Sequence, residues 1–384
     1  MKILNLAILW VLLSAIWVSA QSVSQSGLSV AYQINPAHSG SIKSIGLTPP
    51  LKVKWSVSLN GTASYPLILP SEIVVIDGGN NNHPSTLEAL NPDDGSLLWS
   101  QPSPSTGWIG AAYDNGMVFV ANTNGTMAAF SATDGHQIWS EPLPFQYSFS
   151  SPVTALHGFA YTGGAGEGGT VYGVKESNGG VVWTAGVENG DSSAPAIQGD
   201  AVYVSYVCPQ TYRFQAKTGQ PIWSYSGGCE GGGGETAVVY KDLLYVRDLY
   251  NYPTDGITLS TTTGELVGGF NSKYAPAFAG SRAFYTETDS LTAVDLKTGS
   301  TLWSVAPPTG SLSCSPVVVN GIVYTGTSTG YLVGYSAKKG GQEVSMNLGQ
   351  AISCGEYFPE PQVGMGAGQG LLVVPAGTEL FALE

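Results

Sequence analysis

Residues 291–303 read LTAVDLKTGSTLW: a short apolar strand, a turn ending at Gly299 and a tryptophan four residues later. A glycine turn between two β-prone runs predicts a hairpin. The same pattern recurs with turn glycines at positions 95, 135, 179, 219, 264, 299 and 340. Tryptophan follows four residues later in five of these seven repeats, at Trp99, Trp139, Trp183, Trp223 and Trp303. Gly268 and Val344 take that position in the other two, so the chain consists of a unit of about 40 residues.

Two more strands precede each hairpin, as in 316–319 and 322–325 around an Asn320-Gly321 turn. Four strands in about 40 residues are typical of a propeller blade. Six units carry a proline near the start of the first strand, namely Pro66, Pro152, Pro195, Pro276, Pro316 and Pro361. Proline cannot donate to a sheet ladder and favours an edge strand. The first strand of a propeller blade is such an edge, since it lines the central channel.

The two ends of the repeat region complement each other. Residues 380–384 match the third strand of a unit, and no fourth strand follows them. Residues 52–56 contain Trp55 and resemble a fourth strand with no hairpin before it. We therefore predict an all-β fold, an eight-bladed β-propeller of four-stranded antiparallel blades over residues 51–384, closed by an N-terminal strand that completes the last blade. Eight blades rather than seven fit the 334 residues from 51 to 384, at about 42 per blade.

Composition agrees with a chain of strands and turns. Gly and Pro together number 74 (51 and 23) of 384 residues, charged residues are 11%, and there are 20 Tyr. Aromatic and β-branched residues favour strands. The formal net charge of -13 removes the attraction that dominates nucleic-acid binding, so we expect no nucleic-acid partner.

The first twenty residues have the pattern of a signal peptide. Lys2 precedes an apolar run over 3–18, and Val18-Ser19-Ala20 fits a cleavage site before Gln21. The alternative, a membrane anchor, requires about 20 apolar residues, and a polar stretch follows this run at once. We expect residues 1–20 to be removed, 21–50 to form an N-terminal extension, and the protein to be secreted or periplasmic without a membrane span.

Export permits disulfides, and the four cysteines could close two of them. The chain has no C-x-x-C pair and its four histidines are scattered, so the spacing does not favour a zinc site. We predict that Cys208 pairs with Cys229, at one end of the fourth blade. We predict that Cys314 pairs with Cys354, which follows it by 40 residues, the length of one blade.

The Gly-x-x-x-Trp hairpins, residues 291–303 among them, resemble the PQQ-like repeats of quinoprotein dehydrogenases and of the propeller subunit of the outer-membrane β-barrel assembly machine. The resemblance covers about residues 51–384 and implies a propeller, in a family that contains both pyrroloquinoline-quinone (PQQ) enzymes and scaffolds without a cofactor. Those enzymes use an adjacent cysteine pair, a tryptophan beneath the cofactor, and Glu, Asn and Asp around Ca²⁺. This sequence has no Cys-Cys pair. We therefore assign no catalytic, cofactor or metal residue, and PQQ or Ca²⁺ belongs to an alternative reading.

Strand direction puts the turns between second and third strands on one face with the crossings between blades, and we call it the loop face. The crossings carry one lysine, Lys273, against the acidic residues Glu141, Glu188, Asp191, Glu230, Glu235, Glu356 and Glu360. Aromatic residues outside the repeat register are common anchors of binding sites. We expect binding to be centred near the channel mouth on Trp108, Tyr147, Glu235, Glu356 and Tyr357. The alternative is that these aromatic side chains plug the channel mouth by packing on one another.

These observations favour a non-enzymatic exported protein, a monomer, that holds a protein, peptide or glycan partner at its acidic loop face. The alternative is a quinoprotein-type oxidoreductase or another propeller enzyme, with a cofactor or metal in the channel mouth. Repeat folds present surfaces more often than chemistry, so we expect no cofactor.

Overall fold

The computed structural model describes residues 27–190, 192–206, 210–227, 234–247, 256–287, 289–356 and 361–384. Within these ranges the chain forms 33 strands and no helix. The strands make eight sheets, one for each predicted blade. The prediction of an eight-bladed β-propeller is confirmed.

The first four blades are each built from four consecutive strands. Blade 1 comprises β3 (Leu67–Ile68), β4 (Ile73–Asp77), β5 (Thr86–Leu90) and β6 (Leu97–Pro102). Blade 2 comprises β7 (Trp108–Asp114), β8 (Met117–Asn122), β9 (Thr126–Ser131) and β10 (Gln137–Pro142). Blade 3 comprises β11 (Thr154–Leu156), β12 (Phe159–Gly166), β13 (Gly168–Lys175) and β14 (Val181–Val187). Blade 4 comprises β15 (Ala196–Gln198), β16 (Ala201–Tyr206), β17 (Gln210–Gln215) and β18 (Pro221–Tyr225).

The last four blades include two strands from the N-terminal part, β1 (Ser41–Ile42) and β2 (Val53–Ser58). Blade 5 comprises β19 (Val238–Tyr240), β20 (Leu243–Val246), β21 (Gly256–Ser260) and β22 (Leu266–Phe270). Blade 6 comprises β23 (Ala277–Ala279), β24 (Arg282–Thr286), β25 (Leu291–Asp295) and β26 (Thr301–Val305). Blade 7 comprises β27 (Val317–Val319), β28 (Ile322–Gly326), β29 (Tyr331–Ser336), β30 (Gln342–Asn347) and β1. Blade 8 comprises β31 (Gly366–Gly368), β32 (Leu371–Ala376), β33 (Glu379–Leu383) and β2.

Strand β2 closes the ring. It runs antiparallel to β33, with Val53 opposite Leu383 and Trp55 opposite Ala382. The last blade therefore takes three strands from the C-terminal end and its outer strand from the N-terminal end, as the sequence predicts.

The repeated tryptophans join neighbouring blades. Each ring packs on the turn glycine of the next blade, and its indole N–H donates to the carbonyl three residues before that glycine. The donor-to-acceptor distances are 2.9 Å for Trp55 to Pro92, 3.1 Å for Trp99 to Ala132, 2.6 Å for Trp139 to Glu176, 2.8 Å for Trp183 to Ala216, 3.0 Å for Trp223 to Thr261 and 3.3 Å for Trp303 to Ala337. A side chain at the glycine would overlap the ring, and its positive φ, +69° at Gly135, is a second reason for glycine. The pattern that predicts the fold is thus a contact between blades.

The segment 27–47, part of the expected N-terminal extension, lies against the inner strands. Its carbonyls accept hydrogen bonds from the first strands of six blades, with the amide donors Ile68, Tyr113, Ile197, Val239, Phe278 and Val318 at 2.7–3.0 Å. Strand β1 then pairs in parallel with β27. The segment therefore satisfies edge groups that an open channel would leave to water.

The loop face is organised as strand direction predicts. The amide of Leu143, in the crossing from blade 2 to blade 3, donates to the carbonyl of Gly125 in the turn between β8 and β9 at 2.8 Å. Ser148 in the same crossing donates to Ala165 near the tip of the β12–β13 hairpin at 3.0 Å. In the residues that the structure describes, no helix has the length and apolar character needed to cross a bilayer.

Candidate functional site

A buried cluster of one cation and two carboxylates is centred on Arg247, at the end of β20. This residue follows the apolar strand β20, and its side chain is 4% exposed. Nη1 lies 2.6 Å from Oε2 of Glu235, and Nη2 lies 2.6 Å from Oε1 of Glu356. Burial lowers the pKa of Arg247, but the two carboxylates outweigh it and leave the pKa raised, so the guanidinium stays charged. A buried charge needs such partners, because leaving water is costly.

The N-terminal segment joins this cluster through Tyr32. The Tyr32 hydroxyl donates to Oε1 of Glu356 at 3.1 Å and lies 3.1 Å from the hydroxyl of Ser315. The other carboxylate oxygen of Glu356 accepts the amide of Thr236 at 2.6 Å. Burial raises the pKa of Tyr32 well above its usual value, and the charge of Glu356 adds to the rise. Tyr32 is therefore a hydrogen-bond donor here and is unsuited to act as a base.

A second polar layer surrounds His38, which is fully buried. One ring nitrogen lies 3.2 Å from the carbonyl of Ala237 and the other lies 3.3 Å from the hydroxyl of Thr154. Burial lowers the pKa of His38 to about 4, against a smaller opposite effect of the Ala237 carbonyl and of Glu356. The imidazole is neutral at pH 7, and it ties the N-terminal segment to blades 3 and 5.

A disulfide holds the segment that carries Glu356. Cys314 and Cys354 are bonded, with their Cα atoms 4.5 Å apart. The Cys354 amide also donates to the carbonyl of Ser313 at 2.8 Å. The predicted Cys314–Cys354 pairing is present, whereas Cys208 and Cys229 lie outside the described residues.

The loop face carries an exposed aromatic pair in the crossing from blade 2 to blade 3. Phe145 is 75% exposed and Tyr147 is 67% exposed. Tyr147 donates from its hydroxyl to the carbonyl of Gly166 at 3.1 Å, and Gln146 binds the backbone of Glu167. These contacts fix the crossing on the hairpin tip of blade 3. We call Phe145, Tyr147 and the exposed carboxylate of Glu167 the aromatic patch.

The five residues expected at the channel mouth lie in different surroundings. Trp108 is 2% exposed and its ring meets Phe130 edge-on in the core, with centroids 6.2 Å apart. Glu235 and Glu356 are held by Arg247, so the structure brings these two together. Tyr147 is on the surface, and Tyr357 lies outside the described residues. Trp108 departs from the repeat register because it begins β7, an inner strand, and its ring is buried in the core.

Arg247 lies at the end of β20 rather than in a crossing between blades, so a count of the charges in the crossings does not include it. Its guanidinium offsets one of the two carboxylates in the cluster, whereas Glu141 and Glu188 are exposed. Asp191, Glu230 and Glu360 lie outside the described residues. An arginine directly after the apolar run LLYV was the available signal, since such a position is seldom charged without a partner. Tyr32 and His38 gave no periodic signal.

The cluster does not have the donor set of a quinone–calcium site. Across the described residues, no three His, Cys, Asp or Glu side chains approach closely enough to hold a metal ion. The Cys314–Cys354 bridge joins residues 40 apart in sequence and so is not an adjacent pair. A guanidinium sits between the two carboxylates where a cation would be required. We therefore derive no chemical step through PQQ or Ca²⁺.

The repeat pattern matches a known family over more than half of the chain. The family model described as outer membrane protein assembly factor BamB matches residues 83–158 and 167–353. The chain belongs to this family. BamB from Moraxella catarrhalis has the same fold, with a TM-score of 0.66 and 16% identity over 87% of this chain and 99% of that one.

One fold neighbour and one sequence relative of this BamB-family chain are enzymes. Quinohemoprotein alcohol dehydrogenase from Comamonas testosteroni superposes with a TM-score of 0.74 at 12% identity, over 93% of this chain and 80% of that one. At such identities the likeness shows the fold alone. Tetrathionate hydrolase from Acidithiobacillus ferrooxidans is 28% identical over 281 residues, which is 65% of this chain and 55% of the hydrolase. The chain therefore spans about half the length of this curated relative.

Proposed function

We propose that this protein is an exported, monomeric scaffold that binds a protein partner through its loop face. The observation that carries the proposal is the aromatic patch, where two large aromatic side chains, Phe145 and Tyr147, are exposed side by side on the loop face. Exposed aromatics beside charged groups are the usual anchors of protein interfaces. Membership of the BamB family supports a protein partner over a peptide or glycan.

The channel is a poorer candidate for the contact surface. The N-terminal segment lies against the inner strands of the blades, and Arg247 pairs with Glu235 and Glu356 there. In this proposal Glu235 and Glu356 are positioning residues. Through their ion pairs with Arg247 they hold the adjoining segments of the loop face in place. Trp108 supports blade 2 from the core, and Tyr357, which lies outside the described residues, stays a predicted contact.

The partner should carry positive charge at its contact. Glu141, Glu167 and Glu188 are exposed around the crossings next to the patch. Charge complementarity of this kind speeds association and weakens with salt. The Cys314–Cys354 disulfide supports a location outside the cytoplasm, in the periplasm or the medium, as residues 1–20 suggest.

A pull-down from the extracytoplasmic fraction of the native host tests the proposal. We expect Phe145→Ala combined with Tyr147→Ala to lose the partner, while the protein stays folded because both side chains are exposed. The matched control is Leu97→Ala with Leu98→Ala, two residues that are 56% and 49% exposed on the outer strand of blade 1. Equal capture by the patch variant and the control variant would contradict the proposal.

An enzyme remains the second candidate, because the relative at 28% identity is a tetrathionate hydrolase. Incubation with tetrathionate, with an absorbance spectrum and a metal analysis of the protein from its own host, tests it. Turnover of tetrathionate, or a bound chromophore in stoichiometric amount, would favour the enzyme over the scaffold.

A further inference from the structure

The contact between blades 5 and 6 lacks the indole that fills six of the eight contacts between blades. The turn glycine of blade 5 is Gly264, and Gly268 stands where tryptophan follows the turn in five other repeats. At Gly219, a Cβ atom would fall 2.5 Å from the ring of Trp183. At Gly299, the turn glycine of blade 6, a Cβ atom would meet nothing within 4 Å. The place of one aromatic ring is thus open.

A cavity of about 370 Å³ occupies this place. Gly268 and Gly299 line it, with one wall formed by aromatic rings of both blades. The ring of Phe270 lies 5.4 Å from that of Tyr245 and 5.2 Å from that of Tyr285. A closed apolar cavity of about 150 Å³ is large enough to bind benzene, so the volume here is sufficient for a bicyclic ring. The pocket opens to solvent, and its lining also includes the polar residues Asn271, Glu287 and Asp295.

The polar group that would receive an indole N–H is also present. In the six filled contacts, the carbonyl three residues before the turn glycine accepts that bond. Leu296 holds this position in blade 6 and lines the cavity. Among the described residues, no side chain donates to the Leu296 carbonyl.

We propose that this cavity binds a small indole compound, its ring lying on Gly299 and its N–H donating to the carbonyl of Leu296. In the filled contacts the indole is carried by the fourth strand of the blade, which in blade 5 is β22 with Gly268 at this position. A free molecule needs no backbone to carry it and can enter from the solvent side. Leu266 and Val267 on β22 are 56% and 59% exposed, so the cavity borders solvent-facing surface.

The chain offers its own way to close the cavity. A Cβ atom on Gly268 would lie 3.4 Å from Oγ1 of Thr258, an ordinary contact, and Gly268 has no positive φ. Gly268→Trp should therefore restore the indole of the other repeats. Gly186→Trp is the matched control, because Gly186 lies on β14, another fourth strand, and its Cβ would meet nothing within 4 Å.

Calorimetric titration of the full mature chain with indole and with 1-methylindole tests the proposal. We expect saturable binding of one indole, and binding of 1-methylindole weaker by about 2- to 12-fold because it lacks one hydrogen-bond donor. Gly268→Trp should abolish binding and raise the melting temperature, and Gly186→Trp should bind as the natural chain does. No saturation in the natural chain, or undiminished binding by Gly268→Trp, would overturn the proposal, and equal affinities for the two probes would overturn the role of Leu296.

A second variant keeps the test decisive should Gly268→Trp fail to fold. Trp223→Gly opens the corresponding contact between blades 4 and 5, with Gly264 and the Thr261 carbonyl exposed to the ligand. We expect this variant to bind two indoles. A stoichiometry that stays at one, in a folded variant, would show that an open tryptophan position does not accept the ring.

Discussion

The indole nitrogen of Trp183 lies 2.8 Å from the carbonyl oxygen of Ala216 in the next blade. The same carbonyl accepts the hydroxyl of Tyr161 at 3.1 Å, so two side chains of blade 3 hold one turn of blade 4. The Trp183 side chain is 7% exposed, and its ring covers Gly219. One residue therefore supplies apolar burial, a hydrogen bond and the docking surface of the following blade.

Trp183→Ala should lower the free energy of unfolding by about 3–5 kcal/mol, because it removes a large buried ring and leaves a cavity between two blades. Denaturant unfolding followed by circular dichroism measures the change. Val182→Ala is the control, since Val182 is 51% exposed on the same strand, and we expect it to stay within about 0.5 kcal/mol of the natural chain. A similar loss in both variants would contradict the interlocking role of Trp183.

Arg247→Met should destabilise the protein by about 3–5 kcal/mol, because it leaves two buried carboxylates without their cation. Lys54→Met is the matched control. Lys54 lies 3.0 Å from Asp93, whose side chain is 88% exposed, and such surface pairs contribute about 0–1 kcal/mol. Equal midpoints for the two variants in a urea titration would show that the Arg247 cluster is not a structural element.

His38 should make the fold less stable in acid. Its pKa is about 4 in the folded chain and about 6.5 when unfolded, so between these values the unfolded chain binds a proton that the folded chain does not. The contribution of neutral His38 to the free energy of unfolding is fully present above about pH 6.5. It decreases by roughly 3 kcal/mol as the pH drops towards 4.

Unfolding free energies at pH 7.5 and pH 4.5, compared between His38→Asn and the natural chain, measure this effect. Asparagine tolerates the positive φ of His38, +58°, and does not titrate in this range. His157→Asn is the control, because His157 is exposed and has a φ of +56°. If the loss between the two pH values is the same in all three proteins, His38 is not its source.

Cys314→Ala with Cys354→Ala should cost about 4 kcal/mol, because the bridge closes a loop of 40 residues in the unfolded chain. Alanine avoids burying a new hydroxyl at Cys314, which is fully buried. Hydrogen exchange adds a local measurement. The amide of Thr236 donates to Glu356, two residues beyond Cys354, and we expect it to exchange faster in the variant. Unchanged protection of Thr236 would mean that the bridge does not position Glu356.

The fold could be predicted because its main contact is repeated. Every Gly-x-x-x-Trp unit is one instance of the same packing between blades, so Trp99 and Trp303 report the same geometry. Trp55 identified the closing strand by the same pattern. The strand β2 that carries Trp55 has no hairpin before it in the sequence, and in the structure it pairs with β33.

The polar cluster could not be predicted in this way. Arg247, Tyr32 and Glu356 come from three distant parts of the chain and meet only because the ring has closed. The N-terminal segment shows no strand or helix period, since its backbone follows the inner edges of the blades rather than a sheet of its own. For Trp108 the repeat pattern was misleading in the opposite direction, because this aromatic residue lies outside the register and is nevertheless buried in the core.

The pairing of Val53 with Leu383 sets the order of events when the chain is made. Blades 1 to 6 can each form from consecutive residues as synthesis proceeds, but the eighth sheet must wait until its last strand has been added. Until then β2 has no final partner, and an unpaired strand edge is prone to associate with other chains. Contacts between residues so far apart in sequence form slowly. The growing protein therefore passes through an interval in which the ring is open, and this interval lasts until β33 (Glu379–Leu383) has been added.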